Sequence, residues 1–311
     1  MQAKKRRKTM YDVIIIGSGP AGLAAAIYGQ RAGLSLLVME KQPMSGGQII
    51  NTYDVDNYPG LQGIGGFDLA MKFRAHADAL GASFVTEEVR TVETSGDVRY
   101  VVTDQNRYET KTVVLATGAV HRKLGVPGED ALSGMGVSYC ATCDGAFFRG
   151  KDVAVIGGGD VALEDALFLS RTSSKVWLIH RRDEFRGAKI LQDRVRETEN
   201  IEILWDTTVE EIGGESQVES LLLKNKKTGA ETPLSVQGVF IAVGILPDSA
   251  LLEGIAKLDE GGYVCAGEDG CTSCPGIFAA GDVRTKQLRQ IVTAASDGAN
   301  AITSVQSYLA R

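Results

Sequence analysis

Two stretches of this chain follow the same plan, and that repetition constrains the fold more than any other feature. "YDVIIIGSGPAGLAAAIYGQRAGLSLLVMEK" (Tyr11 to Lys41) passes from a short β-branched run through a glycine turn into an alanine-rich segment, then back to an apolar run. "KDVAVIGGGDVALEDALFLSRTSSKVWLIHRR" (Lys151 to Arg182) does the same. In both, the pattern reads strand, turn, helix, strand. One glycine-rich turn is common, but two in this context predict two nucleotide-binding α/β units.

The glycines have separate jobs. Gly17 and Gly157 allow the tight turn, and Gly19 and Gly159 let the backbone approach a pyrophosphate. Gly22 and Ala162 keep the helix close to the sheet. Phosphates then rest on a helix N-terminus, where free N–H groups and the dipole favour negative charge.

Each copy closes with a β-rich run that stops at a glycine, "TKTVVLATG" at Gly118 and "QGVFIAVG" at Gly244. The segments before these runs read as small antiparallel excursions. Helices are predicted over Phe67–Gly81 and Ala188–Glu199. After the second copy, "SCPGIFAAGDVRTKQLRQIVTAASDGANAITSVQSYLA" gives a short strand, Gly281-Asp282, and a helix starting near Arg289. The predicted fold is α/β, with two Rossmann-like dinucleotide-binding domains built on parallel sheets. If the last segment completes the first domain, residues 1–118 and 248–311 form it, and 119–247 is an insertion. Two chain crossings would then join the domains, an arrangement that permits rigid-body rotation.

The two turns are predicted to hold different nucleotides. Glu40 and His180 lie at the same offset from Gly17 and Gly157, at the end of each second strand. An acidic group there suits free ribose hydroxyls. His180 is instead followed by Arg181 and Arg182, which suit a 2′-phosphate. Charge-assisted bonds contribute about 1.5–3 kcal/mol each, so two favour NADPH over NADH by about two orders of magnitude or more. The bland alternative is an ordinary solvated basic face. The first turn reads as an FAD site and the second as an NADPH site. Asp282 would accept from a ribityl chain, with the following helix N-terminus facing the flavin.

"SYCATCDGAFF" (Ser138 to Phe148) places Cys140 and Cys143 three apart, with Asp144 next. A zinc clamp would need a second pair, and "CTSC" (Cys271, Cys274) supplies one. It lies far beyond the compact spacing of about 15–20 residues in zinc ribbons. A purely structural bridge would close too short a loop to constrain much unfolded chain. A working dithiol is the favoured reading. A free thiol with a pKa of about 8.5 is mostly protonated at neutral pH, so a neighbour must move protons, and Asp144 is adjacent. Its other reading is a plain turn residue before Gly145. Cys265, Cys271 and Cys274 read as ordinary small side chains, and Met39, Met44, Trp177 and Trp205 as packing residues. His76 and His121 carry no pattern of their own.

With 311 residues, 23% of them charged, a net charge of −6 and five cysteines, the composition argues against a nucleic-acid binder or a secreted disulfide scaffold. No run of 18 or more apolar residues suggests a membrane span. Lys4, Lys5, Arg6, Arg7 and Lys8 imitate a signal-peptide n-region, but Asp12 and the glycines interrupt the apolar stretch, so a disordered basic arm is expected.

Taken in order, "CATCDG", "GGGDVALE", "HRRDEFR", "VGILP" and "GIFAAGDVRTKQLRQIVTAASDG" resemble the low-molecular-weight, bacterial-type thioredoxin reductases, from about Tyr11 to the C-terminus. The odd, modest cysteine count suits a reducing, cytoplasmic compartment, and the resemblance implies a homodimer that binds FAD and NADPH and reduces the disulfide of thioredoxin. It places Gly17, Gly19, Gly22, Glu40, Gly46, Gly47, Gln48, Asp282, Arg289 and Gln290 on FAD. It places Gly157, Gly159, His180, Arg181, Arg182 and Arg186 on NADPH. Cys143 would exchange electrons with the flavin, Cys140 would attack thioredoxin, and Asp144 would handle protons. Cys265, Cys271 and Cys274 are additional to the pattern. Ala146 stands before Phe147 and Phe148, and Asp160 replaces an asparagine of some members. The alternatives are a related reductase with another acceptor or donor (ferredoxin or a small dithiol), or a redox sensor without turnover.

Overall fold

The computed structural model describes residues 10–52, 55 and 57–311, so the basic arm from Lys4 to Lys8 lies outside the described residues. The chain separates into two compact units. One is built from the N-terminal stretch up to Asn51, Tyr58–Val120 and Leu246–Arg311, and the other from His121–Ile245 together with Thr52–Asn57.

In the first unit, four parallel strands lie in the order Ser83–Thr86, Leu36–Glu40, Tyr11–Ile16 and Arg107–Leu115. The far edge of Arg107–Leu115 is shared. Its first residues pair antiparallel with Val98–Thr103, which pairs in turn with Val89–Ser95. Its last residues, Val113 to Leu115, pair parallel with Ile277–Ala279. The C-terminal segment therefore returns to complete the first sheet.

The unbroken run "VIII" in the central strand follows from burial on both sides. Val13 and Ile15 face one apolar cluster with Leu23 and Val305, whereas Ile14 and Ile16 face another with Leu252 and Val264. Each such fully buried aliphatic side chain contributes about 1.5–3 kcal/mol, which offsets the entropy of ordering the chain. The helix Pro20–Arg31 begins with proline in its first turn and stops before Gly33, whose φ of +71° a side chain would strain. Its small residues let the C-terminal helix Ile291–Leu309 come close. A Cβ at Gly298 would collide with the Ala21 carbonyl, so Gly298→Leu would force these helices apart. That C-terminal helix starts after Arg289 rather than at it, because Gln290 is extended (φ −144°, ψ 162°) and serves as the N-cap.

The second unit repeats the plan. Five parallel strands run in the order Ile201–Leu204, Lys175–Ile179, Asp152–Gly157, Gly238–Ala242 and Val137–Ser138. Val153 and Val155 pack with the helix Asp160–Leu169, and Ala154 and Ile156 pack on the opposite face. That opposite face is covered by a separate antiparallel sheet, Thr207–Gly213, Ser220–Asn225 and Glu231–Ser235. The expected parallel sheets with antiparallel excursions are borne out. The crossing segments Ala119–His121 and Ile245–Pro247 pair as a two-stranded ribbon.

Candidate functional site: two glycine turns and a disulfide

The first turn is shaped by what it lacks. Gly17 has a φ of +104°, and a Cβ there would strike the Ala116 carbonyl; a Cβ on Gly22 would strike the Gly17 carbonyl. Gly19 is different, since a Cβ there would meet nothing closer than Gly46 O at 3.9 Å. Gly17 and Gly22 are therefore glycine for packing, and Gly19 leaves an open approach to the backbone. Gly46 donates its N–H to Ser18 O at 2.8 Å, and Gly47 lies against Gly19. The backbone of residues 17–19 thus meets that of 46–47 in one cradle.

Glu40 closes one side of this cradle. Its Oε2 accepts from Ser18 N–H at 2.9 Å and from the Ser18 hydroxyl at 2.8 Å, and its Oε1 accepts from Gln42 N–H at 2.9 Å. Gln48 is exposed on the short helix Gly47–Asn51. Gly281 brings the next residue to the same helix N-terminus, since a Cβ on it would lie 2.9 Å from that of Ala21. Asp282 Oδ1 is buried without a hydrogen-bond partner among the described residues, and so is Arg289 Nε. Burial pushes the Asp282 carboxyl above its ordinary range. A buried acceptor and a buried donor with nothing to bond are costly unless a ligand satisfies them. They fit a polyhydroxylated, phosphate-bearing group such as FAD. Arg289 also stacks its guanidinium 4.2 Å from the Tyr263 ring centroid, and Gln290 N–H donates to Thr293 Oγ1 at 3.1 Å.

The second turn has the same construction with a different edge. A Cβ on Gly157 would strike Ala242 O, whereas Gly159 has nothing within 4 Å. The His180 ring occupies the space that a side chain on Gly158 would need. It is 5% exposed, its Nε2 bonds Glu184 O at 3.0 Å, and Phe185 and Trp205 pack around it. Burial holds its pKa below the ordinary value, so the neutral ring supports the turn from beneath. Arg181, Arg182 and Arg186 are exposed, and none has a side-chain hydrogen bond or ion pair among the described residues. Arg186 N–H donates to Gly158 O at 2.8 Å, which fixes that residue to the turn. Free guanidiniums around an open glycine turn suit a phosphate monoester as well as a pyrophosphate. Asp160 opens the helix and takes the Ala188 N–H at 2.6 Å.

Cys140 and Cys143 form a disulfide, with Cα atoms 5.3 Å apart, around the four-residue helix Ala141–Asp144. Cys140 N–H donates to Ser138 Oγ at 3.1 Å, and the Ser138 hydroxyl donates to Asp144 Oδ2 at 2.6 Å. Burial raises the Asp144 carboxyl pKa, and the Ser138 bond pulls it the other way. Such a carboxyl holds its proton nearer to neutral pH, as a group that exchanges protons with a thiol requires. Among the described residues no group of three or more histidine, cysteine and carboxylate side chains is placed to hold a metal. Cys265, Cys271 and Cys274 are free thiols. Cys274 packs on the cluster around Leu252 and Val264, whereas Cys271 has Asp269 and Ser304 as neighbours, and the two form no disulfide. Phe148 is buried edge-on against Phe240, while Phe147 is 39% exposed.

The chain matches the pyridine nucleotide-disulphide oxidoreductase family over residues 11–298. It belongs to that family. Among relatives in the family, a thioredoxin reductase of Listeria innocua is 46% identical over 301 residues, covering 96% of this chain and 94% of its own length. A thioredoxin reductase of Bacillus subtilis is 46% identical over 301 residues, covering 96% and 95%. The crystal structure of thioredoxin reductase from Streptococcus pyogenes matches with a TM-score of 0.91 at 46% identity, covering 98% of this chain and 99% of that one. The resemblance carried by the sequence motifs is borne out.

Several residues of the two sites escaped sequence reasoning. Ser18 sits at a variable position of the turn yet is fully buried on Glu40. Ser138 carries Asp144, and nothing in "SYC" marks it. Asp297 did leave a signal, as the only charged residue in the helix Ile291–Leu309. It binds Arg284 at 2.6 Å, Lys286 at 2.8 Å and Gly281 N–H at 2.9 Å, bracing the loop that carries Asp282.

Proposed function

We propose that this protein reduces the disulfide of thioredoxin with electrons from NADPH, using FAD as the intermediary and Cys140–Cys143 as the exchanging pair. The carrying observation is the Cys140–Cys143 disulfide beside Asp144, whose carboxyl pKa burial raises, in a chain with two open glycine turns. Gly19, Gly46, Gly47, Glu40, Asp282 and Arg289 would hold FAD on the first unit. Gly159, Arg181, Arg182 and Arg186 would hold NADPH on the second, with His180 supporting their turn. When bound, the two nucleotides supply the hydride chemistry that reduces the enzyme disulfide.

The chain's own residues perform the exchange. The Cys140 thiolate attacks one sulfur of the acceptor disulfide and displaces the other as a thiolate, forming a mixed disulfide. Cys143 then attacks Cys140 in that bridge, which releases the second acceptor thiol and restores the Cys140–Cys143 disulfide. Two enzyme thiols are oxidised and two acceptor thiols are formed. Asp144, hydrogen-bonded to Ser138, receives and returns the protons that the thiols shed and the products need.

The reading includes a homodimer in the cytoplasm. Phe67, 46% exposed, and a shallow hollow where Asp68 and Lys72 flank Ile64, Met71 and Ala75 offer a mixed surface at the start of one helix for a second copy. Three free thiols suit a reducing compartment. Among the described residues no helix is long and apolar enough to cross a membrane.

The test is NADPH oxidation by the purified yellow protein with and without oxidised thioredoxin. Thioredoxin-dependent turnover, with NADH much poorer, supports donor and acceptor together. Flavin bleaching by NADPH with thioredoxin left oxidised would overturn the acceptor and leave the nucleotide assignments standing.

A further inference from the structure

The residue before Cys140 is held at both ends. Tyr139 donates its hydroxyl to Glu129 Oε1 at 2.7 Å. Its ring stacks on His121, with centroids 5.1 Å apart and planes inclined by 24°. Glu129 is itself fixed, since it is 2% exposed and accepts from Leu124 N–H at 3.0 Å and Gly125 N–H at 2.7 Å. His121 ends the crossing strand Ala119–His121, and burial keeps its imidazole below the ordinary pKa, hence neutral at pH 7.

A tyrosine that merely filled space would need neither partner. Here a buried carboxylate accepts a neutral hydroxyl, an arrangement that costs desolvation and gives direction in return. Immediately beyond the ring, Cys140 N–H is tied to Ser138. The backbone on both sides of Tyr139 is therefore tethered, Ser138 through its own hydrogen bonds and Tyr139 through its side chain. Displacement at sulfur demands that the attacking sulfur lie in line with the bond it breaks. Error in the placement of Cys140 enters that step directly.

We propose that Tyr139 is a positioning residue of the dithiol, clamped between Glu129 and His121 so that Cys140 presents its sulfur in one orientation to the acceptor disulfide. This rests on the reading of Cys140 as the attacking thiol. Since His121 ends a crossing strand, the clamp also ties the dithiol to the chain segment that joins the second unit to the first.

The experiment compares Tyr139→Ala, Tyr139→Phe, His121→Ala and His121→Tyr in the full-length holoenzyme. Three rates are followed: flavin reduction by NADPH, thioredoxin-dependent turnover, and iodoacetamide alkylation of Cys140 in enzyme reduced with dithiothreitol. A misplaced thiol costs about tenfold in kcat for Tyr139→Ala and His121→Ala, with flavin reduction changed less than about twofold and KM for NADPH unchanged. Alkylation of Cys140 changes in the same two variants, and His121→Tyr, which keeps an aromatic face, restores both rates. Tyr139→Phe keeps the stack and loses only the hydroxyl, so it falls between Tyr139→Ala and wild type. If Tyr139→Ala does not fold, the other three variants decide. The proposal is overturned if folded His121→Ala and Tyr139→Phe keep wild-type kcat and alkylation, or if His121→Tyr fails to rescue. Wild-type enzyme that alkylates at Cys140 but never reduces thioredoxin would sink the proposed acceptor, and the alkylation rates would still judge the clamp.

Discussion

The hydroxyl of Ser138 donates to Oδ2 of Asp144 at 2.6 Å, binding the residue two before Cys140 to the residue just after Cys143. That bond is the main influence opposing burial on the Asp144 carboxyl, whose pKa burial raises. Ser138→Ala removes the opposing influence. The acid limb of thioredoxin-dependent turnover is then expected to move to higher pH, read from kcat across pH 5–8, a range that brackets the ordinary operating window of such acids.

The same carboxyl has a consequence for stability. Its folded-state pKa lies above its unfolded value, so between the two the native state binds more protons than the unfolded one. Stability then falls as pH rises from the unfolded pKa through the folded one. Asp144→Asn removes this loss. The variant is expected to melt at a higher temperature than wild type at neutral pH while turning over thioredoxin more slowly. A variant that is both less stable and fully active at neutral pH would contradict both assignments.

Asp282 supports a sharper expectation. Its Oδ1 is buried without a hydrogen-bond partner among the described residues, and Lys286, Arg289 and Arg284 attract its negative charge while Asp297 opposes it. With Asp282 as the proposed acceptor for the FAD hydroxyls, Asp282→Ala is expected to weaken FAD binding by about 1.5–3 kcal/mol, or about ten- to a hundredfold. The flavin-to-protein absorbance ratio after gel filtration measures this directly. Apo-protein melting should respond little to the substitution, whereas the gain in melting temperature on adding FAD should shrink.

What the sequence made legible, and what it hid, divides along physical lines. The doubled turn was readable because glycine at Gly17 and Gly157 is demanded by nearby carbonyls, a constraint that leaves residue identity no freedom. The β-branched run Val13 to Ile16 was readable as a strand, but which elements cover its two faces was not, since Leu252 and Val264 reach it only through the returning C-terminal segment. Ser138, Glu129 and His121 were invisible because each acts through a partner that only the fold brings near. His121 in particular looks like any surface histidine until it is found against Tyr139. His180 was legible as the edge of the second site, but its burial beneath Gly158 depends on a side chain that Gly158 lacks.

On the proposed reading, Arg181 and Arg182 carry nucleotide choice. Arg181 and Arg182 are exposed and have no carboxylate partner among the described residues, so a phosphate monoester would meet uncompensated guanidiniums. Replacing both with glutamine removes the charge while keeping length. KM for NADPH is expected to rise by about a hundredfold or more, with KM for NADH little changed, since each charge-assisted bond contributes about 1.5–3 kcal/mol. Parallel rises for both nucleotides would show instead that these residues shape the turn.

Asp297 gives the largest expected effect on stability. Its side chain is 6% exposed and neutralises Arg284 and Lys286, themselves 7% and 6% exposed, while holding the Gly281 N–H. Asp297→Asn keeps the volume and one acceptor but leaves two buried cations with no opposing carboxylate except Asp282, whose pKa burial has already raised. Removing one partner from a buried ion cluster costs about 3–5 kcal/mol, far more than such a cluster stabilises relative to apolar residues. The denaturant midpoint should fall accordingly, with the m-value unchanged. Asp297→Asn combined with Arg284→Met and Lys286→Met should recover much of the loss, because the stranded charges go with the acid that neutralised them. A single substitution that costs less than about 1 kcal/mol would mean that water reaches Arg284 and Lys286, and that the loop bearing Asp282 is braced by some other contact.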